Sequence, residues 1–223
     1  MAFTEKLMKH LLTATKGCLK LVYGETEIDF SGDWPRISFR DLILRDCGID
    51  IDKSATKEEL RRELDDRGIK FETDVNVNKA GRGTLIDLLY KKVSRPALIN
   101  PVFITHHPLD LSPLARSNDA NPLTVDRFQL VINGWEVVNA YSELVDPVDQ
   151  AARFRQQAAA RAHGDTETMD IDDDFLLCME YGMPPISGWG MGIDRIIALL
   201  TNASTLRDVV LFPLLRPECG REF

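Results

Sequence analysis

Apolar positions recur at helical spacing over residues 4–16, where Leu7, Met8, Leu11 and Leu12 share a face and Gly17 fits a C-terminal stop. The period then changes. Leu21, Tyr23, Ile28 and Phe30 flank Gly24-Glu25, which predicts a β-hairpin over residues 19–30 turned around GETE. Asp33-Trp34-Pro35 breaks the run, and Ser38 is placed to cap a helix that opens with Phe39-Arg40-Asp41. Residues 54–67 (SATKEELRRELDDR) predict a charged, solvated surface helix. Residues 83–94 give another helix, and residues 101–105 a buried strand, with His106 and His107 expected in the loop after it. Two apolar runs, residues 128–132 and 135–143, flank Asn133-Gly134, the strongest short hairpin signal. Pro147 opens an Ala-rich helix over residues 147–162, and residues 172–181 form a shorter one stopped by Gly182 and Pro184-Pro185. A strand over 186–191, a helix over 194–200 and an apolar stretch over 209–215 complete the pattern. Hairpins with helices between and around them predict an α+β domain on an antiparallel sheet, not a doubly wound one.

Composition narrows the function classes. At 223 residues and 44% hydrophobic content, the chain can bury one large core. No run approaches the roughly 18 apolar residues that cross a bilayer, and the N-terminus lacks the pattern of a signal peptide. Cys18, Cys47, Cys178 and Cys219 lie far apart without metal-ligand spacing, which predicts free thiols in a reducing cytosol. A net charge of −8 argues against a dedicated nucleic-acid surface on this chain. The segment DIDDD (residues 170–174) lacks the turn glycine of a calcium loop and is expected to cap the helix that follows it.

The densest glycine stretch is GWGMGIDR, residues 188–195. Its G-x-G-x-G spacing, with no room for a βαβ unit and no Walker lysine, fits neither standard phosphate loop. Gly188, Gly190 and Gly192 at alternate positions would instead leave a bare backbone ribbon that a planar ring can approach. Arg195 follows in the first turn of a helix, where it can project into a cleft and meet a phosphate in bidentate fashion. On the second arm of the Asn-Gly hairpin, Asn139, Tyr141 and Glu143 line one face, and Glu136 has the opposite parity if the strand is regular. An amide, a phenol and a carboxylate on one face suit a cationic ligand with an aliphatic stem, such as lysine.

GWGMGIDRIIALLTNASTLRDVVLFP resembles the third signature motif of the class II aminoacyl-tRNA synthetases, and DRFQLVINGWEVVNAYSELVDP resembles their lysyl branch, with its E-x-x-N-A-Y-S/T-E-L-x-D-P pattern. SPLAR (112–116) and MEYGMPP (179–185) agree with it. The resemblance covers residues 1–223 as the C-terminal part of a catalytic domain, weakly over 1–95 and strongly over 96–223. It implies an antiparallel sheet flanked by helices, incomplete here, with ATP and Mg2+ as cofactors. The substrates would be lysine and tRNA-Lys, in the cytoplasm and in a possible homodimer. By the same resemblance Asn139, Tyr141, Glu143 and Gly188 line the lysine pocket. Glu136, Gly190, Gly192 and Arg195 meet ATP, with Arg195 catalytic and Glu136 on magnesium. Gln129 stands where the family commonly places a second magnesium-binding glutamate, so an amide oxygen replaces a carboxylate there.

Three family features are not found in these residues. They are the first motif, the anticodon-reading barrel, and the strand–loop–strand with Arg-x-Glu that clamps the α-phosphate. Phe39-Arg40-Asp41 is only a faint likeness to the last, in a helical context. Taken by itself the chain is expected not to form lysyl-adenylate, its missing N-terminal portion or a partner chain supplying the clamp. The alternatives are a non-catalytic lysine- or nucleotide-binding module and a paralogue that lysylates protein.

Overall fold

Asn133 and Gly134 both adopt positive φ, 49° and 69°, the geometry a two-residue hairpin turn demands and these two residue types tolerate best. The turn joins β5 (Thr124–Ile132) to β6 (Trp135–Ser142). The computed structural model describes residues 1–73, 75–162, 165, 168 and 171–213. Within it, this hairpin belongs to a five-stranded sheet of order β3-β4-β5-β6-β7. The remaining strands are β3 (Arg36–Ser38), β4 (Val102–Pro108) and β7 (Ser187–Met191). β3 runs parallel to β4, and the other neighbours are antiparallel. A two-stranded hairpin of β1 (Lys20–Tyr23) and β2 (Thr26–Asp29) turns at Gly24, φ 59°.

Alternation along the strands feeds a core on each face of the larger sheet. On one face Phe103, Leu130, Ile132 and Val138 meet Met8 and Leu12 of α1 (Ala2–Lys16), together with Ile196 and Leu199 of α7 (Ile193–Thr201). On the other, Val102, Ile104 and Val131 pack under α2 (Phe39–Cys47), α3 (Lys57–Asp66) and α4 (Arg82–Leu89). The remaining helices, α5 (Pro147–Ala162) and α6 (Asp173–Glu180), meet through Phe154 and Phe175, ring centroids 6.1 Å apart. The expected α+β arrangement, an antiparallel sheet flanked by helices, is thus the architecture of the chain.

Local departures have physical reasons. α3 is not simply solvated: a Thr56–Glu59 capping box starts it, and Leu60 and Leu64 are buried in the core. The 83–94 helix begins at Arg82, and its last turn, Tyr90–Ser94, is π-helical. β4 runs on through His106 and His107, which are strand residues and not loop. A register shift between Thr105 and His107 makes this possible, with His106 at φ 52° absorbing the extra residue. Ser38 and Asp172 do cap α2 and α6, accepting from the Asp41 and Phe175 amides. Arg40, in the faint clamp likeness, sits in α2's first turn and is bound bidentately to Asp50, which lies beyond the end of that helix. The described part of the 209–215 stretch forms no strand, and Leu211 and Phe212 are exposed. Residues 214 and 215, Asp170 and Cys219 lie outside the described residues, whereas Cys18, Cys47 and Cys178 are free thiols. Among the described residues no helix is long and apolar enough to cross a membrane.

Candidate functional site

β5 and β6 pair Gln129 with Asn139 and Leu130 with Val138, then skip to Val131 with Glu136. Val137 is therefore the extra residue of a β-bulge. Two consecutive valines, 137 and 138, turn into the core, each 1% exposed. Beyond the bulge the alternation resets, so Glu136 shares the face of Asn139 and Tyr141. This corrects the opposite parity expected of a regular strand, and it brings a second carboxylate to the face that already carries Glu143.

β7 lies beside β6 in the sheet and supplies the bare floor of the cleft. Asn139 pairs with Gly190 and Tyr141 with Gly188. A Cβ at Gly188 would collide with Glu143 Oε1, so only glycine leaves that carboxylate where it stands. The Ser112–Arg116 stretch crosses the end of β6, with Ala115 bridging Glu143, the Leu144 amide donating to Leu114 O at 2.9 Å and the Arg116 amide to Ser142 O at 2.8 Å. Arg195 reaches back from the first turn of α7 and donates to Glu136 O.

A cavity of about 390 Å3 results, lined by Glu136, Asn139, Tyr141, Glu143, Gly188, Gly190, Gly192 and Arg195. Every residue singled out in the sequence lines it except Gln129. That side chain, 7% exposed, donates Nε2 to Glu136 Oε2 at 2.8 Å and lines a neighbouring cavity of about 560 Å3.

The electrostatics favour a cation at one end. Glu143 makes no ion pair or side-chain hydrogen bond among the described residues, and burial pushes its carboxyl above the ordinary range. Burial and then the Glu143 charge push the Tyr141 phenol up. A half-buried carboxylate without a counter-charge is stabilised by any ammonium that reaches it. For magnesium, the donors present are the Glu136 carboxylate and the Gln129 amide. Among the described residues no group of three or more His, Cys, Asp or Glu side chains is placed to hold a metal. This set fits an ion brought in on phosphate oxygens and steadied by one carboxylate, not an all-protein cage.

Two residues escaped the sequence reading. Arg127 donates Nε to Asn139 Oδ1 at 2.9 Å and Nη1 to Ser112 Oγ at 2.9 Å and Leu111 O at 3.1 Å. It fixes the carboxamide so that the Asn139 NH2 is left for the cavity. The available signal was an arginine at an inward position of an apolar strand. His107 is 1% exposed beside Phe39, and neither ring nitrogen has a hydrogen-bond partner among the described residues. Its side chain lines the larger cavity with Arg127 and Gln129, and burial followed by the Arg127 charge holds its pKa down to about 3.

An antiparallel sheet that presents a bare glycine strand, a helix-borne arginine and an acidic strand face in one cleft defines a class II synthetase catalytic fold. The chain belongs to that family, the class II tRNA synthetases (D, K and N), whose family model matches residues 1–216. Similar curated proteins include the lysine–tRNA ligase of Leuconostoc mesenteroides, 42% identical over 215 residues, or 96% of this chain and 42% of that protein. The lysine–tRNA ligase of Fervidobacterium nodosum is 42% identical over 218 residues, 98% of this chain and 41% of its own length. That of Aquifex aeolicus is 41% identical over 218 residues, 97% of this chain and 36% of its own length. The chain thus spans less than half of the relatives it matches.

Proposed function

We propose that these residues form the lysine- and ATP-binding part of a lysine–tRNA ligase, which joins lysine to ATP as lysyl-adenylate with release of pyrophosphate and then passes lysine to tRNA-Lys in the cytoplasm. The names of the similar proteins support the substrate pair. One observation carries the reading: Glu143, in want of a cation, and Arg195, suited to phosphate, line one cavity floored by the glycine ribbon. In this reading Glu143 takes the side-chain ammonium, Tyr141 flanks the stem and the Asn139 NH2 holds a polar end of the amino acid. Gly190 and Gly192 admit the adenine ring edge-close, and Arg195 meets the phosphates. Glu136 steadies a magnesium ion carried by those phosphates, which screens their charge. The chemistry asked of the protein is positioning and charge neutralisation, since the lysine carboxylate itself attacks the α-phosphorus.

The test is calorimetric titration of the purified 223-residue chain with lysine and with norleucine, which lacks the ammonium. Lysine is expected to bind and norleucine not. Equal binding of the two, or lysine binding that survives Glu143→Gln, would overturn the reading. The chain by itself is expected to show no lysine-dependent ATP–pyrophosphate exchange, because no strand among the described residues carries an Arg-x-Glu clamp for the α-phosphate; measurable exchange would overturn that expectation.

A further inference from the structure

A second pocket, of about 290 Å3, opens at the other end of β6 from Glu143 and is lined by Arg95, Gly134, Trp135, Glu136, Arg195 and Leu206. It shares Glu136 and Arg195 with the glycine-ribbon cavity, so a ligand seated on the ribbon can extend into it. Two arginines line this pocket from unrelated places, Arg195 in the first turn of α7 and Arg95 at the end of the π-helical turn after α4.

Arg95 differs from the other arginines nearby. Arg82 is tied to Asp110, Arg127 to Asn139 and Arg153 to Asp149. The half-buried Arg95 side chain makes no hydrogen bond or ion pair among the described residues, although Glu136 lines the same pocket. The Glu136 carboxylate is drawn the other way, accepting from Gln129 Nε2. A partly desolvated guanidinium without a partner costs free energy, and a multivalent anion offsets that cost. Arg195, exposed and donating to Glu136 O, lines the same pocket, and two cationic residues around one pocket suit the several negative charges of a condensed phosphate better than a single carboxylate.

We propose that Arg95 is a phosphate-binding residue of this site. With Arg195 it forms a subsite for the terminal phosphates of a nucleotide whose base lies on the glycine ribbon, and for free pyrophosphate. The first part rests on the nucleotide reading given above; the pyrophosphate part stands without it.

The experiment titrates the full chain, without magnesium, with AMP, ATP and inorganic pyrophosphate, for wild type, Arg95→Ala, Arg95→Gln and Lys91→Ala. Lys91 is a charge control, since it pairs with Asp87 and lies outside this pocket. Both Arg95 variants are expected to weaken ATP and pyrophosphate about tenfold and to leave AMP unchanged, as loss of a bidentate phosphate contact would. Lys91→Ala is expected to change none of them. Loss confined to Arg95 supports the proposal. Unchanged ATP and pyrophosphate binding in both Arg95 variants overturns it, as does an equal loss in Lys91→Ala, which would indicate general charge attraction. If wild type binds neither AMP nor ATP, the nucleotide reading fails by itself. Pyrophosphate then decides for Arg95: binding lost only in the Arg95 variants supports the subsite, and absent or insensitive binding overturns it.

Discussion

The two faces of β6 are made from the same eight residues and do opposite work. One presents Val137 and Val138 to a core shared with Leu130 and Ile196, all nearly inaccessible to solvent. The other presents Glu136, Asn139 and Tyr141, with Glu143 just beyond, to an open cleft. The first face is satisfied by its neighbours in the fold. The second is left with a carboxylate that has no counter-charge among the described residues and an amide half engaged by Arg127. The difference teaches where to look for chemistry: stability sits on the face whose groups are complete, and function on the face whose groups are not.

Four measurements would break or sharpen that contrast. On the core face, Leu130→Ala is expected to destabilise the fold by about 2–5 kcal/mol through lost burial and a residual cavity, read as a lower urea midpoint. A loss under about 1 kcal/mol would mean the sheet is not packed there as described. On the cleft face, Glu143→Gln is expected to weaken lysine about 30-fold while leaving the urea midpoint unchanged or slightly raised, since a half-buried charge without an ion-pair partner among the described residues is removed. A large drop in stability would show that Glu143 serves the fold instead.

Gly188→Ala places a methyl group directly against that carboxylate. Its new Cβ pushes aside the end of a flexible side chain, so the fold should hold while lysine affinity falls about tenfold. Unchanged affinity would remove Glu143 from the lysine reading. The last measurement concerns pH. Unfolded, His107 takes up a proton near pH 6.5; folded, it does so only near pH 3. The unfolded chain binds more protons between those limits, so stability present above pH 6.5 declines as pH falls, by at most about 1.4 kcal/mol per unit. His107→Phe should flatten the decline between pH 6.5 and 5, above the range where carboxylates such as Asp50, held low by Arg40, begin to contribute. An unaltered profile would mean that His107 is not the group responsible.

Much of the fold was legible because its signals are local. Asn133-Gly134 specifies a turn, Ser38 a cap and Pro147 a helix start, and each needs only its neighbours in sequence. The candidate site was legible for a related reason: Asn139, Tyr141 and Glu143 obey strand period 2, and the glycines repeat at the same interval. What stayed hidden depends on two strands at once. Neither register shift, at Val137 or at His106, leaves a mark on its own strand, because a bulge is defined only against a partner. Hence Glu136 was assigned to the wrong face and His107 to a loop. Arg127 was missed because its role is to orient another side chain, which no spacing rule encodes.

The bulge at Val137 also divides the strand into separately editable halves. Exchanging the valine for another buried aliphatic group changes only packing volume, whereas deleting it rotates everything on the turn side by half a period. Glu136 would then point among the aliphatic side chains behind the sheet, and its peptide oxygen would no longer meet Arg195. Insertions and deletions in this short interval should therefore be far less tolerated than substitutions, although the Val137 side chain belongs to the core behind the cleft it helps to build.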